Sequence, residues 1–553
     1  MELVTHIIKR CEQLESYRAQ WEQLWQDCTD YVNPRRGDFN ATKARGSQHR
    51  YDKVFDSTAP LANENLAAGL HGHLTNTAEK WFSLRIPGYE PTHMTRQWMQ
   101  MTVDKMFDAV FNVPAACFTT AVHELYLDLG SYGTGVMYVE DRPGKPILFR
   151  TFHLAECFVA ENHEGMVDTL YRKFKMQARQ IVQKYQDKLP EKFIENANKN
   201  PLQEFTVIHA VEPRDSYGYG KKANKDMEFS SCFVLVEEKI LLEESGYNEF
   251  PYMVPRWSKT AGEVYGRSPA MTCMPDIKMV NEMMKTTIRA AQKATDPPLM
   301  VPDDGFMLPL RTVPGGLNYY RSGTPDKVEP LVGGSRPDVG LDFIETRREH
   351  ILKTFHVDWL QLRDGPQMTA TEVLQRQEER MRLLGPMVGR LQTEFLGPLV
   401  ERVFSIMQRR NAIAPPPEEL AGADLSIDYV SPVARAQKSQ QVFNFYRFLE
   451  QMMPLANIKP EILDNINGDE TFRWAHATLD APTQTLVVAS QQMVASVFGC
   501  FLSREKPPRS NQWKIIQNFF ALRIRQATTQ CVESRYFVIR KTSIVVDLLG
   551  SRD

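Results

Sequence analysis

Two predicted helices around a proline- and glycine-rich segment constrain this chain more than any other feature. The first helix should begin after Ser268, because serine is a favoured N-cap and Pro269 would then fill the first helical position. It should end near Ala294, because an Asp-Pro-Pro run follows and cannot continue a helix. Residues 297–340 hold eight prolines and two glycine pairs, and helical pattern returns near Leu341. The sequence therefore predicts two helices separated by an irregular excursion.

A third, longer helix should follow. Thr369 and Glu372 have the spacing of a capping box, and apolar residues then recur at steps of three, four or seven as far as about residue 410. Pro386 and Pro398 are each preceded by glycine. These two positions are where such a helix is expected to bend.

The first helix carries a stripe of basic residues. Lys278, Lys285, Arg289 and Lys293 fall within an arc of about 80° when residues are placed at 100° intervals. The opposite side holds Met279, Val280, Met283, Met284, Thr287 and Ala291. The pattern predicts that one face packs and the other is cationic. Such a face is either an ordinary solvated surface or a surface for a polyanion, bound through phosphates and not through bases.

The overall composition limits the kinds of partner. With 553 residues, 42% apolar and 24% charged, the chain fits two to four domains or one elongated subunit of several parts. Its net charge of −2 gives no global basic field, so any contact with DNA must be local. The eight cysteines show no CxxC spacing, which favours reduced thiols over disulfides or zinc. We expect no signal peptide, and no membrane span in the uncharged but glutamine-containing run 481–503.

The rest of the chain reads as α+β and predominantly helical. Helices are expected at about 1–33, 56–74, 95–110 and 117–129, with an extended segment at 81–84. Residues 136–245 alternate as strands, with a helix inserted at about 177–199. The last 73 residues differ, with ten Lys/Arg against four Asp/Glu and isolated β-type runs, and they give no convincing fold.

No catalytic motif stands out. Glycines at 130–135 follow a helix and precede a strand, which is the reverse of a dinucleotide fingerprint. Residues 215–222 lack the first glycine and the Ser/Thr of a phosphate-binding P-loop. His71 and His73 suit packing or a surface position better than a metal site. An enzyme is not excluded, since triads assemble from distant residues, but nothing in the pattern supports one.

Several motifs together resemble the portal (head-to-tail connector) proteins of short-tailed, podovirus-type bacteriophages. Each is weak alone, but their order and separation across residues 1 to about 480 make the match specific. The motifs are FDSTAP at 55–60 with LAAGL at 66–70 and Trp81-Phe82, PYMVPRW at 251–257, YGRSPA at 265–270, MTATEV at 368–373 and SPVARAQ at 431–437.

The resemblance implies a portal fold of wing, stem, clip and crown that assembles as a dodecameric ring around double-stranded DNA. The wing would be 1–268, stem helix one 269–296, the clip 297–340 and stem helix two 341–355. A channel loop would follow at 356–369, a long wing helix at 370–412 and a crown at 413–480. Relatives often end in a helical barrel, from which the composition of 481–553 departs.

The resemblance also implies roles for particular residues and partners. Lys278, Lys285, Arg289 and Lys293 would line the DNA channel. The channel loop would include Trp359, Leu360, Gln361, Leu362, Arg363 and Asp364. The clip would bind terminase and later the tail adaptor through Phe306, Arg311, Tyr319, Tyr320 and Arg321.

Further expected partners are the major capsid, scaffolding and internal core proteins, with no cofactor, no metal, no catalytic centre and no membrane. The protein would assemble in the host cytoplasm and reside in the virion. Two alternatives remain from the sequence: a DNA-processing enzyme of the packaging machinery, or a smaller tail-adaptor ring.

Overall fold

A computed structural model describes residues 2–37, 39, 53–76, 80–88, 92–214, 227–295, 299–300, 329–330, 337–357, 385–417, 420 and 426–429, with isolated positions at 442, 445, 447–448, 451, 471 and 475. All belong to one unit, Met1–Leu479. The helices are α1 (Glu2–Tyr31), α2 (Thr58–Leu74), α3 (His93–Met106), α4 (Phe118–Tyr132), α5 (Ala178–Tyr185), α6 (Glu191–Lys199), α7 (Pro269–Thr295), α8 (Pro337–Thr354) and α9 (Gly397–Arg409).

The strands form four antiparallel groups. They are β1 (Phe82–Arg85), β2 (Val136–Glu140), β3 (Leu148–Phe152), β4 (Cys157–Glu161), β5 (Val167–Gln177), β6 (Glu204–Pro213), β7 (Phe229–Leu235), β8 (Ile240–Tyr247), β9 (Tyr252–Met253), β10 (Leu299–Met300), β11 (Glu329–Pro330) and β12 (Ser426–Tyr429). The largest sheet has the order β4-β5-β6-β7-β8, and a smaller one has the order β3-β2-β9. The remaining pairs are β1 with β12 and β10 with β11. The mixture of helices and sheets agrees with the predicted α+β class.

The five-stranded sheet is covered on both faces. Successive side chains of a strand point to opposite faces, so Ile208 and Val234 pack with the start of α1, including Ile7. Val207 and Leu235 instead pack with α5 and α6. This sandwich of helix, sheet and helix pair explains the alternating pattern of residues 136–245. The single predicted helix at 177–199 is two helices, because Leu189-Pro190 interrupts the helical backbone.

The main core lies where α2, α4, the three-stranded sheet and α9 meet. Aromatic rings fill it, with Phe111 at 4.7 Å and Trp81 at 6.5 Å from the ring of Phe118. The segment 81–84, predicted to be extended, supplies Trp81 and Phe82 and pairs as β1 with β12. The predicted helix 95–110 is α3 followed by a π-helical turn, Phe107–Phe111, which turns Phe107 and Phe111 into this core.

Two glycine-containing turns join the end of α4 to the start of α7. Gly133 has φ of +74°, and a Cβ placed there would lie 2.5 Å from the carbonyl oxygen of Gly266. Gly266 N donates to Thr134 Oγ1 at 2.8 Å, and Trp257 N donates to Gly133 O at 2.9 Å. The glycines at 130–135 therefore form a tight helix-to-strand connection, as predicted, and their close contact is with the YGRSPA motif. These contacts hold the start of β2 against the segment that leads into α7.

The long helix is described from residue 385. Its regular hydrogen bonding changes to a π-helical turn at Gln392–Leu396, immediately before Gly397 and Pro398. Gly397 N and the hydroxyl of Tyr429 both donate to Gln392 O. The helix is thus irregular next to Pro398, where a bend was expected. The predicted capping box at Thr369 lies outside the described residues, as do residues 215–222 and 480–553.

Candidate nucleic-acid interface

Helix α7 has the boundaries that its sequence predicts. Ser268 Oγ accepts a hydrogen bond from Met271 N at 3.0 Å, so serine is the N-cap and Pro269 is the first helical residue. The same hydroxyl donates to Ser131 O at 2.8 Å, which ties the cap to the end of α4. The helix ends at Thr295, one residue beyond the predicted Ala294. The first turn of α7 is therefore fixed to the α/β body of residues 2–268, for which the name wing is used below only as a label of position.

The four basic residues of α7 have different surroundings. Lys278 Nζ lies 2.7 Å from Asp27 Oδ2 of α1, and Lys285 Nζ lies 2.9 Å from Glu282 Oε1. Arg289 and Lys293 lie further from the wing; both are exposed, and neither forms an ion pair within the part of the chain that the structure describes. The stripe thus divides into two residues with carboxylate partners and two whose charge is available to an external anion.

The packed face of α7 agrees with the expected one only in part. Val280 is buried and Met283 and Met284 pack against the core, as predicted, but Met279 is 45% exposed, and Asn281, on the cationic side, is buried. The reason is that α7 contacts α1, α4 and α8 together, so a broad side of its first half is covered. The predicted packed face is therefore confirmed at Val280, Met283 and Met284 and wrong at Met279, and burial extends to Asn281.

A group of ion pairs joins α7, α8 and the wing. Asp276 of α7 accepts hydrogen bonds from Arg347 Nη1 at 3.2 Å and His350 Nδ1 at 2.7 Å, both on α8. Arg348 Nη2 donates to Asp56 Oδ2 at 2.6 Å. Burial alone would raise the pKa of Asp56, but hydrogen bonds from Thr58 and Arg348 bring it below its ordinary value. Asp56 is therefore ionised at neutral pH and holds α8 to the wing.

The side chain of Asn281 makes the matching connection from α7. Its Oδ1 accepts hydrogen bonds from Phe55 N at 2.8 Å and Asp56 N at 3.0 Å. Asp56 thus contacts α8 through its carboxylate and α7 through its backbone. The FDSTAP motif of the sequence is explained by this role, because its Phe and Asp contact the helix pair and its Thr donates a hydrogen bond to that Asp.

The two helices run antiparallel. β10 follows α7, β11 precedes α8, and the two strands pair antiparallel, so the end of α7 lies next to the start of α8. Helix α8 begins at Pro337, four residues before the predicted Leu341. This arrangement places Arg289 and Lys293 at the end of the pair that is remote from the wing.

A buried arginine fastens the long helix to the wing. Arg256 donates from Nη2 to Glu394 Oε1 at 2.7 Å and from Nε to Glu394 Oε2 at 3.1 Å. It also contacts Glu161 and the carbonyl oxygens of Gly165 and Val264. Burial would lower the pKa of this guanidinium, but its two carboxylate partners raise it, so it stays charged.

The predicted clip and channel-loop residues cannot be placed. Residues 301–328 and 358–384 lie outside the described residues, and they contain Phe306, Arg311, Tyr319, Tyr320 and Arg321 of the clip and Trp359, Leu360, Gln361, Leu362, Arg363 and Asp364 of the loop. Both sets remain predictions.

Histidine and cysteine side chains are the remaining candidates for metal binding or reactivity. No group of three or more His, Cys, Asp or Glu that could hold a metal occurs among the described residues. His71 Nδ1 lies 3.0 Å from Thr75 Oγ1, and burial, then the nearby His123, lowers its pKa. The six described cysteines are free, and burial raises the pKa of Cys11 to about 11 and of Cys157 to about 12, which leaves these thiols unreactive at neutral pH. None of the described helices is long and apolar enough to cross a bilayer.

Comparison with known proteins gives a consistent result. Residues 4–487 match the model of the family described as bacteriophage head to tail connecting protein. A probable portal protein of Bordetella phage BPP-1 is 32% identical over 491 residues, covering 86% of each chain. A portal protein of Salmonella phage epsilon15 is 30% identical over 503 residues, covering 88% of this chain and 89% of the relative.

Proposed function

The chain belongs to the family of bacteriophage head-to-tail connecting proteins and acts as a portal at the capsid vertex, and we propose that it does so as a dodecameric ring around double-stranded DNA. The observation that carries this proposal is the match to the family over almost the whole unit Met1–Leu479. The antiparallel pair α7–α8 supplies the element that would surround the channel. The two named portal relatives make the tail-adaptor alternative the weaker one.

In the proposed layout, residues 1–268 form the wing, α7 and α8 the stem, and 297–336 the clip. Residues 356–369 form the channel loop, 370–412 the long wing helix and 413–480 the crown. Two ion pairs support this division: Asp276 with Arg347 joins α7 to α8, and Asp56 with Arg348 joins that helix pair to the larger α/β body. The buried pair of Arg256 and Glu394 would keep the long helix part of the wing.

The stem would contact DNA through cations repeated around the ring. Arg289 and Lys293 are the strongest candidates, because they are exposed and remote from the wing. Lys278 and Lys285 would contribute less, because Asp27 and Glu282 offset their charge. Contacts to phosphates are independent of base sequence, as a conduit requires, and each is weak enough to let DNA slide.

The partners would follow from the position at the vertex. The clip would bind terminase during packaging and the tail adaptor afterwards, and the wing and crown would meet capsid, scaffolding and internal core proteins. The chain would assemble in the host cytoplasm before entering the virion. The family is a structural one, and we propose that packaging is powered by a separate ATPase and not by this chain.

The test changes the cations at the remote end of the stem. The variant Arg289→Gln/Lys293→Gln is expected to form rings of wild-type mass but to lose at least about tenfold in packaged or retained DNA, because phosphate contacts contribute strongly to binding. The matched control Lys188→Gln/Lys192→Gln removes the same charge from exposed positions at α6. Rings are measured by light scattering and negative-stain images, and DNA by nuclease protection. Unchanged packaging in the stem variant would remove these residues from the channel.

A further inference from the structure

We propose that two exposed apolar patches at the base of the stem form the contact between neighbouring copies of this chain. The proposal rests on the ring proposed above and adds which surfaces meet. The first patch, here called patch A, consists of Met279, Met283 and Phe343. The second, patch B, consists of Phe55 and Leu61. A ring contact is heterologous, so each copy must offer two different surfaces.

Patch A spans both stem helices. Met279 is 45% and Phe343 61% exposed, and Met283 is half-buried beside them. On α8, Phe343 precedes Arg347 by one turn and therefore lies on the same side. Arg347 contacts Asp276, and on α7 Asp276 lies on the same side as Met279 and Met283. Since the helices are antiparallel, Phe343 lies level with the two methionines.

Patch B lies where the wing meets the stem. Phe55 is 40% and Leu61 53% exposed, whereas Ala59 and Ala62 of α2 are buried in the core. Phe55 N donates to Asn281 Oδ1, and Lys285 Nζ lies 5.7 Å from the centre of the Phe55 ring. These two contacts place Phe55 on the side of α7 that carries Asn281 and Lys285, and Leu61 follows it in the first turns of α2.

The two patches lie on opposite sides of the stem at the same level. Asp276, Met279 and Met283 are centred about 160° around α7 from Lys278, Asn281 and Lys285, at 100° per residue. With a rise of 1.5 Å per residue, Met279 and Met283 lie within roughly 3 Å along the axis of Asn281, to which Phe55 is bonded. Copies related by rotation about an axis along the stem would therefore bring patch A of one against patch B of the next.

Charge favours the same pairing. Asp342, next to Phe343 in α8, is exposed and forms no ion pair within the residues that the structure describes. Beside patch B lies Lys285, which also pairs with Glu282 of its own helix. A carboxylate thus borders one apolar patch and an ammonium borders the other. Apolar patches with a charged border of this kind are typical of protein interfaces. The occupant that fits both patches at once is a second copy of this chain.

The experiment uses two variants of the full chain that each damage one patch. Met279→Lys/Phe343→Lys places cations in patch A, and Phe55→Lys/Leu61→Lys places them in patch B. Each variant alone is expected to lose the ring and to elute at the mass of a monomer. Mixed in equal amounts they should form a dimer, because the intact patch B of the first meets the intact patch A of the second. In this dimer the two patches that remain free both carry the lysine substitutions, so no third copy can add.

The outcomes separate this contact from the ring itself. Leu202→Lys, at a position of the wing that is exposed and outside both patches, is the control and should form wild-type rings. Dimers in the mixture also show that both variants fold. If wild type forms rings and the patch variants do too, or if the mixture stays monomeric, the contact is refuted and the ring stands. A wild-type chain that never forms rings overturns the proposed function and this contact with it.

Discussion

Replacing Arg256 should destabilise the wing strongly, and replacing its partner as well should restore part of the loss. The side chain of Arg256 is 1% exposed and that of Glu394 9% exposed. Arg256→Met leaves the carboxylate of Glu394 with one donor, the backbone N of residue 256 at 2.9 Å. Removing one member of a buried ion pair costs about 3–5 kcal/mol, because the other charge stays buried without compensation.

The expected change in melting temperature follows from the size of the unit. Unfolding about 330 residues, the number that the structure describes within this unit, carries an entropy of roughly 0.7 kcal/mol per kelvin, so a loss of about 4 kcal/mol lowers the Tm by about 6 °C. Glu394→Gln should cost less, about 1–2 kcal/mol, because the amide oxygen still accepts hydrogen bonds. In Arg256→Met/Glu394→Gln no unpaired charge remains at this contact, and the coupling energy should be about 2–3 kcal/mol.

The assay is thermal and urea unfolding of the four chains of this cycle at neutral pH. Arg267→Met is the matched control, because Arg267 pairs with Glu263 on the surface and its loss should cost less than about 1 kcal/mol. The reasoning fails if Arg256→Met behaves like Arg267→Met. It also fails if the two single changes are additive, since the pair would then carry no coupling.

Two further predictions concern the wing. Gly133→Ala should lower the free energy of unfolding by roughly 3–5 kcal/mol, because it combines an unfavourable φ with a Cβ against the backbone of Gly266. Gly144→Ala, with φ of +71° and no atom within 4 Å, should lower it by only about 1 kcal/mol. Equal urea midpoints for the two variants would contradict the close contact at Gly133. Burial, then Arg172 and Lys184, lowers the pKa of His209 to about 3, so the unfolded chain takes up a proton below pH 6.5 that the folded chain refuses. Wild type should therefore lose about 2 kcal/mol more than His209→Gln between pH 7 and 5, and parallel pH profiles in urea would count against it.

Local chemistry made much of the fold predictable. The start of α7 depends on a serine cap and a proline that are adjacent in sequence, and its end depends on the run after Thr295. The strands of the five-stranded sheet pair in the order in which they occur along the chain. The alternation of apolar and polar residues was therefore enough to predict where they lie. The FDSTAP motif is visible in the sequence as a pattern, but its position between the wing and the pair α7–α8 depends on its contacts with Asn281 and Arg348.

Contacts between distant residues could not be predicted. Arg256 and Glu394 are 138 positions apart, and Asp27 and Lys278 are 251 apart. Helical periodicity shows which residues share a face, but not which faces of α7 meet α1, α4 and α8. For that reason Met279 was assigned to the packed side although it is exposed.

The position of the wing accounts for the different surroundings of the two ends of the basic stripe on α7. Near the wing, Lys278 is only partly exposed, so its charge needs a partner, and Asp27 of α1 supplies it. Beyond the wing, water solvates Arg289 and Lys293, so no partner is needed and the charge remains available. The salt dependence of DNA binding reports this difference, because its slope grows with the number of phosphates neutralised. We therefore expect the slope to fall with Arg289→Gln/Lys293→Gln and to change little with Lys278→Gln, whose ammonium already has a carboxylate within the chain.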